Sequence, residues 1–314
     1  MKTTNRIVKS LSSAFLPLLV MFAFATSAVA QTAARIVFSA RVSTLISPKP
    51  ARYASYTQIF SMNPDGSGVT QLTSGTVNSD NPAWSPDQQY IAFTRGTEVT
   101  VMGANGSGAF PVAEAVGAGV SSLSWSPDGT ELAYTGGDNN NDLYVVSLDA
   151  ATGAVGTPAL LAAGPSYDVN WSPDGTNVAF DRYDSSGNSA IIVHDVATGA
   201  EYNFSALISA PNSWGPSWSP SGTMLAFQAT ATVKITTKKG TTTTTIYPLF
   251  IANADGTDLL QVTPSSSEGG YLPTWSPDGT TLAFISESGG IYKMVIGSDV
   301  LTFLNAGTAP DWNP

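Results

Sequence analysis

Short apolar triplets punctuate the chain at long, nearly even intervals. Ile91-Ala92-Phe93, Leu132-Ala133-Tyr134, Val178-Ala179-Phe180, Leu225-Ala226-Phe227 and Leu282-Ala283-Phe284 each stand among polar residues. An uninterrupted, β-branched or aromatic run of this length suits a strand buried on both faces. Each triplet follows a tryptophan and a tight polar stretch: Trp84-Ser85-Pro86-Asp87, Trp125-Ser126-Pro127-Asp128-Gly129, Trp171-Ser172-Pro173-Asp174-Gly175, Trp218-Ser219-Pro220-Ser221-Gly222 and Trp275-Ser276-Pro277-Asp278-Gly279. In such a stretch Pro pre-sets φ, Asp bonds its own backbone and Gly accepts positive φ, so the chain reverses. The pattern predicts one strand ending at each Trp and a second carrying the triplet. A third apolar segment follows, as in Leu143–Val146, Ile191–Val193 and Pro248–Ala252. Turns such as Asn63-Pro64-Asp65-Gly66 and Asn253-Ala254-Asp255-Gly256 then lead to a short polar edge, for example Thr70-Gln71-Leu72-Thr73.

The five tryptophans, with Trp312 in a truncated Trp312-Asn313-Pro314, are spaced 41, 46, 47, 57 and 37 residues apart. Four short strands per repeat at this period predict the blades of a β-propeller. The last copy stops after its first strand, whereas Ile36–Phe38, Gln58–Met62 and Val69–Thr73 match the second, third and fourth strands of a repeat. The C-terminal strand is therefore expected to pair with these three, closing an all-β, six-bladed ring without open sheet edges. In that ring each repeat Trp is expected between neighbouring blades as core.

Trp-Ser-Pro-Asp-Gly followed by Leu-Ala-Phe, with Asn-Ala-Asp-Gly further on, resembles the WD40-like repeat of TolB-type propellers over nearly all of residues 31–314. The resemblance implies the six-bladed fold. It leaves function open, because such propellers occur in binding proteins, in peptidase accessory domains and in a few lyases. TolB proteins carry an α/β domain ahead of the propeller and act in a periplasmic complex with a peptidoglycan-associated lipoprotein. Only Gln31–Ala34 separate the first strand here from the expected leader, so the partner surface of that domain is not carried over.

Residues 1–30 have the layout of a secretory signal peptide: basic Lys2, Arg6 and Lys9, an apolar run from Leu11 to Ala25, and Ala28-Val29-Ala30 before an expected cleavage. The run falls short of the roughly 20 residues needed to span a bilayer, so no membrane insertion is expected. Without cysteine, neither disulfides nor lipid attachment at a cleavage-site thiol is expected. The expected product, residues 31–314, is a single propeller domain, secreted or periplasmic and monomeric. Removing three basic residues and no acidic one moves the net charge from −10 to −13, which argues against nucleic acid as a partner.

Candidate chemistry is sparse. No Gly-x-Ser-x-Gly elbow is present, and His194, the single histidine, stands beside Asp195 on a strand where adjacent side chains face opposite ways. A structural histidine is expected, and no resident cofactor. Asp138-Asn139-Asn140-Asn141-Asp142 places oxygen ligands Asp138, Asn140 and Asp142 at alternate positions, as an EF-hand loop opens, but Leu143 stands where glycine is needed. Calcium is weighed there against a solvated loop. Asp181, Asp184 and Asn188 form a second candidate acidic loop.

Propeller topology sorts the loops. Connections from second to third strands, and between blades, share one face; the Pro-Asp-Gly and Asn-Ala-Asp-Gly turns share the other. Arg41, Lys49, Arg52, Arg95, Arg182, Lys234, Lys238 and Lys239 fall on the former, and Asp65, Asp87, Asp128, Asp174, Asp255 and Asp278 on the latter. Ser43–Thr57 and Gln228–Tyr247 are long connections on the basic face, the second expected as a hairpin turning at Lys238-Lys239-Gly240. Four residues before successive repeat tryptophans stand Tyr167, Trp214 and Tyr271, with Asp168 adjacent. With Lys238 and Lys239 they form the expected contact surface for a protein, peptide or glycan. The favoured expectation is a non-enzymatic binding or scaffold propeller. The alternative is a lyase or lactonase-like enzyme using Asp80, Asp138, Asp168 or Asp181 around the channel mouth, with calcium assistance.

Overall fold

In the computed structural model the chain divides into two units, Met1–Thr32 and Ala33–Pro314. The described residues are 34–114, 120, 122–137, 141–210, 212–237, 240–263 and 269–313. The expected signal segment therefore lies outside them. Within the second unit, six antiparallel sheets follow one another as blades. Blade 1 combines Thr308–Trp312 with Ile36–Pro48, Ala51–Met62 and Thr70–Gln71. Blade 2 comprises Ser79–Trp84, Tyr90–Arg95, Glu98–Gly103 and Phe110–Glu114. Blade 3 has Ser122–Trp125, Glu131–Gly136 and Asp142–Asp149, whose outer edge pairs with both Ala159–Ala162 and the short Ala154–Val155. This fifth strand departs from the expected four. Blade 4 contains Ser166–Trp171, Asn177–Tyr183, Ser189–Asp195 and Glu201–Asn203; blade 5 contains Ser213–Trp218, Met224–Ala229, Leu249–Asn253 and Leu260–Gln261. Gly270–Trp275, Thr281–Ser286, Ile291–Val295 and Thr302–Asn305 form blade 6.

Closure is as the repeat count requires. Ile36 faces Trp312 and Val37 faces Asp311 in an antiparallel ladder. The Asn313 amide adds a 2.9 Å bond to the Arg35 carbonyl, and the Arg35 N–H donates to Asn313 Oδ1 at 2.7 Å. Lys293 Nζ, on blade 6, donates to the Pro64 carbonyl on blade 1 at 2.6 Å.

The six tryptophans divide the core into six clusters, each spanning two blades. Trp84 packs with Val37 and Ile59 of blade 1 and Ile91 and Phe93 of blade 2; Trp312 joins Ile36 and Phe38 to Ala283 and Ile291 of blade 6. The indole N–H groups of Trp125 and Trp275 donate to Ala83 O and Ser217 O of the preceding blades, at 3.1 and 3.0 Å. The residue before four of the tryptophans adds a second tie. Asp311 Oδ2 accepts from Trp84 N at 2.7 Å, Ser124 Oγ from Trp171 N at 2.9 Å, Asn170 Oδ1 from Trp218 N at 2.7 Å and Thr274 Oγ1 from Trp312 N at 3.2 Å.

The repeat turns are self-contained. Ser172 Oγ donates to Asp174 Oδ1 at 2.6 Å and accepts from Asn177 N at 2.9 Å, and the motifs of Asp128 and Asp278 repeat the arrangement. Hydroxyl and amide donors, the motif serine foremost, hold Asp128, Asp174 and Asp278 below the ordinary carboxylate range. Each turn glycine rests against the proline of the preceding motif, as where a Cβ on Gly175 would stand 3.3 Å from Pro127 Cγ.

On the other face, the long connection of blade 1 is a ladder reaching Pro48 and Ala51, with one register shift between Leu45 and Ser47. Ala231–Thr237 and Gly240–Ile246 pair with each other alone, forming the expected hairpin outside blade 5. Its turn residues, Lys238 and Lys239, lie outside the described residues. Among the described residues, no helix is long and apolar enough to cross a membrane.

Candidate functional site

The inner strands enclose a central cavity of about 350 Å³, lined by the six repeat tryptophans and collared by Pro86, Pro127, Pro173, Pro220 and Pro277 at the turn face. Five inner strands carry a residue in the left-handed region three positions before the Trp: Asn81 (φ 51°), Asp168 (φ 41°), Gly215 (φ 58°), Leu272 (φ 51°) and Ala309 (φ 46°). Pairing skips there, as from Tyr167↔Asp181 to Asn170↔Ala179. Such bulges re-aim side chains. All five of these residues line the cavity.

Asp168 also lines a second pocket, of about 460 Å³, on the loop-rich face between blades 4, 5 and 6. Its other walls are Tyr183, Trp214, Gly215, Gln228, Tyr247, Tyr271, Leu272 and Glu287. Trp214 and Tyr247 lie with ring centroids 6.2 Å apart, and the Trp214 indole is hydrogen-bonded to the Tyr183 hydroxyl. Tyr167 stands behind, edge-on to Tyr183 at 5.2 Å. The structure thus brings Asp168, Trp214 and Tyr271 into one pocket and puts Tyr167 in its supporting layer.

Asp181 is a correction. The sequence groups it in a loop with Asp184 and Asn188, but Asp184 closes its own turn on Ser186 N, Asn188 N and Asn188 Nδ2. Asp181 instead lies on the second strand, 1% exposed, hydrogen-bonded to Asp168. Its Oδ1 accepts from Gly215 N at 3.4 Å, and its Oδ2 meets no donor from the rest of the protein. Burial pushes Asp168 up to about 6; burial, and after it the Asp168 charge, also hold Asp181 well above the ordinary carboxylate range. Two carboxyls in contact resist ionising together, so Asp168 and Asp181 titrate as a coupled pair. A third buried carboxyl, Asp311, is pushed up to about 7 by burial on the channel wall.

Other candidates have separate places. Asp80 caps the neighbouring Asn81 N–H at 2.9 Å and does not line either pocket. His194, 4% exposed, contacts Glu201 Oε1 at 3.2 Å across the sheet, while Arg182 holds the same carboxylate at 2.6 and 3.0 Å. Arg182, expected on the basic face, is thus neutralised within its blade. Of the calcium candidates, Asp138 and Asn140 lie outside the described residues, and Asp142 Oδ1 accepts from Gly164 N at 2.7 Å. Among the described residues, no three acidic or histidine side chains gather to hold a metal. Sequence reasoning missed Tyr183, Tyr247 and Glu287; the signal was their position at the ends of second strands or in second-to-third-strand connections.

Fold and site together define a six-bladed propeller of Trp-Ser-Pro-Asp-Gly repeats with a ligand-sized aromatic pocket on its loop-rich face. Residues 64–293 match the Gmad1 family, the lipoprotein LpqB β-propeller domain, and the chain belongs to that family. Among solved structures, a putative TolB from Agrobacterium tumefaciens matches with a TM-score of 0.61 and 18% identity, over 88% of this chain and 90% of that one. TolB from Acinetobacter baumannii gives 0.62 and 19%, over 89% of this chain and 66% of that one. A chain of a nidogen/laminin complex gives 0.66 at 8% identity, over 90% and 98%. These likenesses concern the fold. No curated protein matches the sequence.

Proposed function

We propose that the chain is a secreted or periplasmic binding and scaffold module that holds its ligand on the loop-rich face. The observation that carries this is the pocket of about 460 Å³ in which blades 4, 5 and 6 converge Tyr183, Trp214, Tyr247 and Tyr271 around Asp168. Aromatic walls with a few convergent polar groups are the usual composition of a binding site. Membership of the LpqB propeller family and likeness to TolB folds support an envelope setting. The test compares partners recovered from envelope extracts by wild type and by Trp214→Ala combined with deletion of 234–245. The face is supported if a partner held by the wild type is lost from the variant; identical recovery refutes it.

The Asp168–Asp181 pair favours a second reading, an enzyme using a protonated and an ionised carboxyl as acid and base. Turnover of a polysaccharide or lactone that disappears in Asp168→Asn would support it.

A further inference from the structure

The pocket is graded in depth. Glu287, Tyr271 and Tyr247 are exposed at its rim; Trp214 and Tyr183 are half-buried below them. Asp168 lies at the bottom, where pocket and central cavity share a wall, and Asp181 stands behind it. No basic residue lines the pocket among the described residues. The nearest arginine in sequence, Arg182, turns to the other side of its strand, with its guanidinium carbon 4.9 Å from the Phe180 ring centre and its nitrogens on Glu201. A buried negative charge is costly unless a positive partner reaches it. Aromatic faces attract cations through their quadrupoles, and most strongly where water is excluded.

We propose that the pocket takes the side chain of a lysine presented by a partner peptide or protein, its ammonium group reaching Asp168 and its stem lying against Trp214 and the tyrosines. The inference rests on the loop-rich face being a binding surface and specifies what that surface recognises. A slender four-carbon stem with a compact charge fits a site whose carboxylate lies beneath aromatic walls. Glu287 at the rim adds a second negative group on the path inward. Gly269 helps set that rim, since a Cβ there would run into Tyr247 O and Glu287 Oε1.

Protonation of Asp168 would remove the attraction. The groups facing the pair are Tyr183 and Tyr167, the Gly215 N–H, Trp214 through Tyr183, Glu287 at the rim and Asp311 across the channel. Lysine keeps its charge throughout the acid range, so affinity should weaken as pH falls through about 6, the value set for Asp168 by burial.

Calorimetric titration at pH 7.5 with Nα-acetyl-lysine methylamide tests the proposal, with Nα,Nε-diacetyl-lysine methylamide, glucosamine and N-acetylglucosamine as comparisons. The lysine probe should bind, the diacetyl form should bind at least about tenfold more weakly, and lowering the pH to 5 should cost about tenfold. Asp168→Asn and Trp214→Ala should each weaken the lysine probe by about tenfold or more. Asparagine tolerates the left-handed backbone of residue 168, and unchanged melting of both variants shows that the fold persists. Equal binding of the neutral and charged lysine probes overturns the cation inference while leaving the binding surface standing. Glucosamine binding without the lysine probe overturns it in favour of an amino sugar. No binding by any probe overturns it too, and the extract comparison above then decides separately whether the face binds anything.

Discussion

Asp311 closes the ring and also weakens it as the pH rises. It lies on the closing strand, its Oδ2 accepting from Trp84 N at 2.7 Å and its Oδ1 in reach of Thr274 Oγ1 at 3.4 Å. Burial lifts its pKa from 3.8 to about 7. In the unfolded chain the group loses its proton near its ordinary value, whereas the folded protein retains it until near 7. Stability from this residue is therefore fully present below pH 4 and lost as pH rises toward 7. At roughly 1.4 kcal/mol per pH decade, the loss is on the order of 4 kcal/mol by pH 8. Asp311→Asn keeps an oxygen for Trp84 N and presents an amide to Thr274 Oγ1, but carries no charge to desolvate. Urea unfolding, followed by tryptophan fluorescence between pH 4.5 and 8.5, measures the effect directly. The variant should show a flatter profile across this range and exceed wild type at pH 8 by about 2–4 kcal/mol. Parallel profiles, or a variant weaker than wild type at pH 8, would refute the assignment of a buried, proton-retaining carboxyl.

Other expected outcomes follow from the same contacts. Trp125→Ala, which empties the seam between blades 2 and 3, should cost about 3–5 kcal/mol in urea unfolding. Ser172→Ala leaves Asn177 N without its acceptor and removes one of three donors from Asp174, and should cost about 1–3 kcal/mol by the same assay. Removing 308–314 uncovers the Ile36–Pro48 edge of blade 1; size-exclusion chromatography should show association or aggregation, and an unaltered monomer would contradict the closure.

The repeat made most of the architecture legible. Six tryptophans at blade spacing, with a final repeat that stops after one strand, required the tail to complete the first sheet, and Ile36↔Trp312 is that pairing. The placement of Tyr167, Trp214 and Tyr271 near one mouth followed from the same periodicity, because equivalent positions in successive blades must come out on the same face. The fifth strand of blade 3 was not legible, since Ala154–Val155 is too short to carry a pattern of its own.

By itself, the sequence determined the blade number, the direction of each strand, the closure and the face on which each loop emerges, because all of these follow from a local repeat. The tertiary structure alone decided that Asp168 and Asp181 stand together as a coupled carboxyl pair. A left-handed residue at a bulge shifts the pairing by one step, from Tyr167↔Asp181 to Asn170↔Ala179, and turns Asp168 toward a neighbour that simple alternation would not give it. The pocket walls likewise come from three blades, and their approach depends on how those blades pack around the axis. No single repeat carries that information.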